Sequence, residues 1–440
     1  MVRKIQLVTL GCSKNRVDSE HLLKQVFENG IEIVTEGSNI TESNSDAIIL
    51  NTCGFIKDAK EESIEAILNA VESKKNGMTK KVFVFGCLSQ RYRSELIKEI
   101  PEVDGFFGAF DSHSVLKAIG HDWNDKYNNN RYLTTPSHYA YLKISEGCDR
   151  VCSYCSIPLI RGPHISIPVE DLVEEANFLA QNGVKELIVV AQDTTYYGLD
   201  LYKERRLAQL LEKLCDVNGI EWVRLLYSYP SAFPESVLDV MANNPKMCKY
   251  LDIPLQHVND KVLANMRRSV DGNTTRRLVE SFRKKVPGIV LRTTMIVGHP
   301  GESAKAFSEL KDFVSEARFE RLGAFTYSQE EGTWGAMNLK DAISEKVKQQ
   351  RYQELMELQS SISYQYNVSR IGSVQRVLVD SADNDVYVAR SMAESPEVDG
   401  EVLIGADSLP QIYKSKNIIG TFVDVQIQNA DEYDLSAIFV

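Results

Sequence analysis

The sequence has no uninterrupted apolar run long enough to cross a bilayer, which takes about 20 residues. Its opening, MVRKIQLVTLGC, holds only a short apolar run that stops at a glycine. It lacks the longer apolar region and small-residue cleavage site of a secretory signal. The expectation is a cytoplasmic protein without membrane attachment. Thiols stay reduced there, so the eight cysteines point to metal or catalysis before disulfides. Excess positive charge is lacking too. The net charge is −11, and residues 371–440 hold four basic residues against twelve acidic ones, a balance of −8. Only −3 is left for the first 370 residues. An acidic terminal segment binds phosphates poorly. It suits a basic protein partner, or serves as a solvated surface that keeps the chain soluble. No internal repeat is visible. With 43% hydrophobic and 25% charged residues, a chain of 440 residues can bury several ordinary cores.

The pattern predicts an α/β protein in three parts. Residues 1–120 alternate short β-branched runs (KIQLVTL, DAIILNT, KVFVFGC) with helical stretches at Val17–Asn29 and Lys57–Lys75. That rhythm predicts a parallel sheet covered by helices. Asp18 and Ser19 read as a helix N-cap region. Residues 121–137, rich in Asn, Asp and Thr, read as a linker. From 138 to 370 the rhythm resumes, with strands at AYLKIS, ELIVVA, WVRLLYS, YLDIPL, VLRTTMIV and RLGAFTYS. Helices fall at Val169–Asn182, Asn273–Lys285 and Ser303–Ala317. Six βα units in sequence predict a partial or open TIM-type barrel. A charged helix, Ser344–Tyr366, leads out to residues 371–440, whose short strands predict a small closed β-barrel.

The cysteines fall into groups. Cys148, Cys152 and Cys155 form C-x3-C-x2-C just after the first barrel strand, on the face where barrel active sites assemble. Three thiolates this close can hold three irons of a cubane 4Fe-4S cluster, leaving the fourth iron open to a small molecule. Structural zinc fits poorly: it takes four ligands, usually in regular C-x2-C pairs, and no second pair or paired His lies nearby. Cys12, Cys53 and Cys87 are far apart in sequence, but each stands at or just past a predicted strand end. A parallel sheet puts those ends on one edge. Gly11, Gly54 and Gly86 beside them allow close approach. The three can therefore share one site, or be three separate core cysteines. Cys215 and Cys248 read as core residues. Gln192, Asp193, Gln256 and Glu302 lie near predicted strand ends, facing the same mouth.

The C-x3-C-x2-C motif resembles that of the radical S-adenosylmethionine superfamily. There the open iron chelates the cofactor's methionine amino and carboxylate groups, and an electron from the cluster cleaves the sulfonium to give a 5′-deoxyadenosyl radical. Tyr154 fills the aromatic position usual between the second and third cysteines. MIVGHPGES (Met295–Ser303) resembles the family's G-F-P-G-E segment, which helps bind the cofactor. His299 stands where Phe is usual. The resemblance makes Tyr154, Gln192, Gln256, Gly298, Pro300, Gly301 and Glu302 the candidate contacts to S-adenosylmethionine.

Over essentially the whole chain, the N-terminal cysteine trio, the radical motif and the terminal barrel resemble the methylthiotransferases. In that family Cys12, Cys53 and Cys87 would hold a second 4Fe-4S cluster, and the barrel would be a substrate-contacting TRAM module. One branch modifies tRNA adenosines. The other, the RimO branch, modifies an aspartate of the small-subunit ribosomal protein S-twelve. LGCSKNRVDSE is similar to the second branch's L-G-C-P-K-N-x-V-D-S-E, with Ser13 for Pro; the tRNA branch typically has G-C-Q-M-N. GCDRVCSYCSIPLIRG, RLLYSYP, YLDIPLQH and RSMAESPEVDGEVLI resemble the second branch as well. The −8 segment would attract a basic ribosomal protein and repel RNA.

The resemblance implies hydrogen removal from an aspartate β-carbon by a carbon radical. One S-adenosylmethionine would methylate a sulfur at the N-terminal cluster, and a second would be cleaved at the other. The product would be a 3-methylthioaspartyl residue. The implied partners are ribosomal protein S-twelve or the small ribosomal subunit, and a reducing electron-donor protein. A tRNA methylthiotransferase is the alternative. A non-catalytic, metal-containing ribosome-binding protein is the remote one.

Overall fold

The computed structural model describes residues 2–34, 39–413 and 416–440. Five strands form the first sheet: β1 (Lys4–Thr9), β2 (Glu32–Val34), β3 (Ala47–Thr52), β4 (Lys81–Gly86) and β5 (Gly105–Phe106). Their order is β2-β1-β3-β4-β5, all parallel. Strands β3 and β4 are buried along nearly their whole length, as a sheet with helices on both faces requires. Helices α1 (Ser13–Glu28), α2 (Lys57–Lys75) and α3 (Cys87–Glu99) supply that cover. Separate apolar cores lie on the two faces. Since every strand is parallel, β1, β3 and β4 all end on one edge.

Helix α1 begins earlier than its capping signal suggests. Cys12 is the N-cap, and Asp18 and Ser19 lie inside the helix. Tertiary hydrogen bonds fix the first turn instead of a side-chain cap. The Asn15 amide donates to the carbonyls of Leu10 at 2.9 Å and Thr52 at 3.2 Å. Asp18 is used elsewhere, pairing with Lys143 and Arg161 of the next domain.

The polar connection at 121–137 is a packed strap. Arg131 is buried and paired with Glu20 of α1 and, at 2.9 Å, with Glu175. Glu20 also accepts from the Thr134 backbone N–H at 2.8 Å. Breaking a buried pair strands the remaining charge, which costs about 3–5 kcal/mol. Glu20→Ala is therefore expected to lower the free energy of unfolding by an amount of that order, read as a lower guanidinium midpoint. Circular dichroism against denaturant checks this.

The second sheet begins with β6 (Tyr139–Lys143). A small antiparallel pair follows, β7 (Ser145–Glu146) and β8 (Ile165–Ser166). Then come β9 (Glu186–Val190), β10 (Trp222–Leu225), β11 (Met247–Asp252), β12 (Val290–Val297) and β13 (Arg321–Thr326). Strands β6 and β9–β13 pair in sequential order, all but one of the joins running through unbroken parallel register, and the sheet stays open. This is the open barrel the six βα units predict. Right-handed βα units place the strand ends toward one mouth.

The last segment is a closed five-stranded barrel of β14 (Val374–Asp383), β15 (Val386–Arg390), β16 (Val402–Gly405), β17 (Phe422–Ala430) and β18 (Leu435–Phe439). It docks through buried charge. Arg390 meets Glu186 at 2.8 Å and Asp380 at 2.5 Å, and His138 meets Asp380 at 2.7 Å. Among the described residues no helix is long and apolar enough to cross a membrane.

Candidate functional site

The three cysteines of the first sheet do converge. Cys53 and Cys87 come directly after β3 and β4, and Cys12 three residues after the end of β1, on the shared edge. Gly11 is in the left-handed region at φ 90°, and a Cβ there would lie 2.6 Å from the Cys53 Cβ and 2.9 Å from its Sγ. A Cβ on Gly54 would lie 2.9 Å from the Cys87 carbonyl carbon. Glycine is needed at both places: Gly11 lies against the Cys53 side chain, and Gly54 against the backbone of Cys87 and Leu88. Asn15 and Asn51 lock the edge: the Asn51 amide donates to the Asn15 carbonyl at 2.8 Å.

Cys148, Cys152 and Cys155 lie on the loop between β7 and a short helix at Ile157–Arg161. All six cysteines line a single cavity of about 370 Å³. The two domains therefore build one site, with one trio from each. Arg161 joins them: its Nε donates to the Cys87 Sγ at 3.2 Å, and its Nη2 to Asn15 Oδ1 at 2.6 Å. Its other nitrogen meets Asp18 at 3.0 Å and Glu146 at 3.1 Å. Burial opposes charge on Glu146, yet Lys143 and Arg161 hold its carboxyl down at about 2.

Burial pushes the Cys87 thiol up to about 11 and the Cys148 thiol up to about 12. Cys53 and Cys155 are raised for the same reason. Such thiols stay neutral at physiological pH until a cation shares the site, and a coordinating metal removes the proton outright. Among the described residues no group of three or more His, Cys, Asp or Glu is placed to hold a single metal ion. A zinc ion would need its sulfurs drawn to about 2.3 Å from one point. Three thiols from each domain line this cavity, and soft thiolates are the donors iron–sulfur clusters take. The residues therefore fit two three-cysteine clusters.

Polar groups with no protein partner line the same cavity. Gln192 Oε1, Gln256 Oε1, Arg150 Nη2 and Arg268 Nε are buried without a hydrogen-bond partner among the described residues. Gln256 has φ 73° and Tyr227 φ 58°, conformations that side chains larger than glycine seldom adopt. Strain of this kind gathers at ligand clamps. Tyr154 lines the cavity, with Arg268 Nη1 3.4 Å from its hydroxyl and 3.7 Å from the Cys152 Sγ. The Tyr229 hydroxyl lies 3.8 Å from the same sulfur.

Tyr154, Gln192 and Gln256 thus share the cysteine cavity. Gly298, Pro300, Gly301 and Glu302 are not among its lining residues. That turn is occupied by protein: a Cβ on Gly298 would meet Lys348 at 2.4 Å, and one on Gly301 would meet Asn265 at 2.4 Å. Glu302 accepts from the Gly298 N–H at 3.0 Å and pairs with Arg351 at 2.6 Å. It braces the turn. His299 is buried and presents its ring edge-on to Tyr154 and Tyr327. Burial lowers it to about 4, so it packs as a neutral aromatic ring in place of Phe. Asp193 is tied to Arg150 at 2.7 Å. Cys215 and Cys248 are core residues.

Several lining residues carry no individual signal in the sequence. Lys14, Arg161, Tyr227 and Tyr229 sit inside the quoted motifs LGCSKN, SIPLIRG and RLLYSYP, next to residues that do. Arg268 has no motif around it, and only the fold brings it in.

Three family models match the chain. "Uncharacterized protein family UPF0004" matches residues 4–108, the radical SAM superfamily residues 142–314, and the TRAM domain residues 371–440. The chain is 49% identical to the ribosomal protein uS12 methylthiotransferase RimO of Bacteroides fragilis over 99% of both chains. It is 51% identical to that of Flavobacterium johnsoniae, over 98% of this chain and 97% of the relative. In fold it is similar to the radical S-adenosylmethionine methyltransferase TsrM of Kitasatospora setae. The TM-score is 0.54 at 14% identity, covering 73% of this chain and 72% of that one.

Proposed function

Because this chain belongs to the RimO family of ribosomal protein uS12 methylthiotransferases, we propose that it attaches a methylthio group to the β-carbon of an aspartate of uS12. It is a radical S-adenosylmethionine methylthiotransferase. One observation carries the reading: both cysteine trios line one cavity. A generic radical enzyme needs only the trio at Cys148, Cys152 and Cys155. Sulfur insertion needs a second site within reach of the same substrate carbon, and Cys12, Cys53 and Cys87 supply it.

Cofactors carry the hard step here. S-adenosylmethionine at a reduced 4Fe-4S cluster supplies a carbon radical able to take hydrogen from an unactivated carbon, chemistry that acid–base side chains lack. The chain's own residues hold and shield. Cys148, Cys152 and Cys155 would hold that cluster, and Cys12, Cys53 and Cys87 the second. Tyr154, Gln192 and Gln256 are the proposed contacts to S-adenosylmethionine, since the two amides have unmet acceptors in the cavity. Gly298, Pro300, Gly301 and Glu302 act with them by fixing the turn behind Tyr154 through His299. Phe55, Ile157, Pro254 and Tyr229 give the cavity apolar walls that exclude water from a reactive radical.

The acidic terminal barrel supports a basic protein as partner, and its charge disfavours a nucleic acid. The tRNA reading and the non-catalytic reading are accordingly not favoured. The proposal also includes a reducing electron-donor protein and, with ribosomes as the site of the substrate, a cytoplasmic location.

Mass spectrometry of uS12 with and without the gene tests the proposal. The expected result is a single methylthio substitution on one aspartate, absent from the deletion strain. Loss of methylthio-adenosine from tRNA with unchanged uS12 would overturn it.

A further inference from the structure

Four cationic side chains line the cavity, and three have partners in hand. Arg150 meets Asp193 at 2.7 Å, and Arg161 meets Asp18 and Glu146. Arg268 donates to the Pro254 carbonyl at 2.5 Å and faces Cys152. Lys14 is different. It is 8% exposed, and no carboxylate among the described residues lies within 4 Å of it; Asp252 and the Cys12 sulfur favour its charge from further away. Its Nζ lies 3.3 Å from the centroid of the Tyr227 ring. A buried ammonium with no carboxylate in direct contact is costly, and a ring face offsets only part of that cost.

The ring beneath it is itself held under strain. Tyr227 sits at φ 58°. Its N–H donates to Asp252 at 3.0 Å, and its carbonyl accepts from the Thr194 N–H at 3.1 Å. The backbone is thus clamped in a conformation that presents the ring to Lys14. The position matters as well. Lys14 lies in the first turn of α1, two residues after Cys12. Tyr227 is two residues before Tyr229, whose hydroxyl faces Cys152. Lys14 and Tyr227 therefore bring together wall segments of the two domains, one next to Cys12 and one next to the tyrosine that faces Cys152. A substrate carbon that must be reached from both trios lies in the cavity this pair lines.

We propose that Lys14 is the specificity-determining residue of this site: its Nζ donates to the side-chain carboxylate of the target aspartate and so holds the adjacent β-carbon between the trios. The inference rests on the function proposed above. A lysine ammonium on a carboxylate is a charge-assisted hydrogen bond, roughly twice as strong as a neutral one. The corresponding asparagine offers the same shape without the charge.

The experiment uses full-length, anaerobically reconstituted protein and two forms of uS12, one with the aspartate that carries the modification and one with asparagine there. Dissociation constants are measured for wild type, Lys14→Met and Lys14→Arg. Wild type is expected to prefer aspartate by about tenfold to a hundredfold, the range of a hydrogen bond to a charged group. Lys14→Met is expected to bind both forms about equally, and Lys14→Arg to keep part of the preference. Equal wild-type affinity for both forms overturns the proposal without recourse to any variant. An undiminished preference in Lys14→Met overturns it too, even if that variant loses iron, because Lys14 would then serve the N-terminal trio alone. If wild type neither binds nor modifies uS12, the functional reading falls first and takes this inference with it.

Discussion

Cys152→Ala is expected to abolish release of 5′-deoxyadenosine from S-adenosylmethionine. Two thiolates remain at that trio, too few to hold a cubane that already relies on an open iron for its ligand. The sulfur also anchors its surroundings, with Arg268 at 3.7 Å and the Tyr229 hydroxyl at 3.8 Å. No acid or base in the cavity substitutes for the lost chemistry, so the remaining rate should fall by at least about a thousandfold, an increase of about 4 kcal/mol in the barrier. Iron should drop from about eight to about four per chain, the content of one cubane. Iron assay and chromatography of the nucleoside product check both numbers. Unchanged cofactor cleavage would remove Cys152 from its assigned role.

Cys53→Ala is expected to separate the two halves of the reaction. Iron should again fall to about four per chain. Release of 5′-deoxyadenosine should continue, since Cys53 comes from the other domain, while methylthio product falls below detection. The change removes one sulfur from beside Gly11 and adds no atom, so the sheet edge can keep its packing. Uncoupled cleavage is the signature: cofactor is consumed and the uS12 mass stays constant. Methylthio product at the wild-type level would show that the N-terminal trio does not serve sulfur insertion.

Much of the architecture was legible because periodicity reports burial. The three strands predicted for the first domain and the six predicted for the second stand where β-branched runs place them, while the short β2, β5, β7 and β8 gave no such signal. Their parallel order follows from the alternation with helices. Helix ends were harder to read. Asp18 carries the chemistry of a cap, yet it serves as an ion-pair partner for Lys143 and Arg161, which lie more than a hundred residues away. The segment at 121–137 has the composition of a linker, yet Arg131 ties it into two buried carboxylates. Local composition carries no trace of such distant partners.

The sequence alone determined the kind of chemistry. C-x3-C-x2-C names a cluster with an open iron, because the spacing lets one loop present three thiolates. It also determined that Cys12, Cys53 and Cys87 share an edge, because parallel strands end together. Only the tertiary structure decided that the two trios face one cavity. It also decided that the glycine turn at Gly298–Gly301 spends its freedom on Lys348 and Asn265, and that Lys14 lines the shared cavity against the Tyr227 ring with no carboxylate in direct contact. The glycine turn depends on packing within the second domain; the shared cavity and the seat of Lys14 depend on how the first two domains are pressed together. That docking is set by buried charges such as Arg161 with Asp18 and Glu146, whose partners no local pattern reveals.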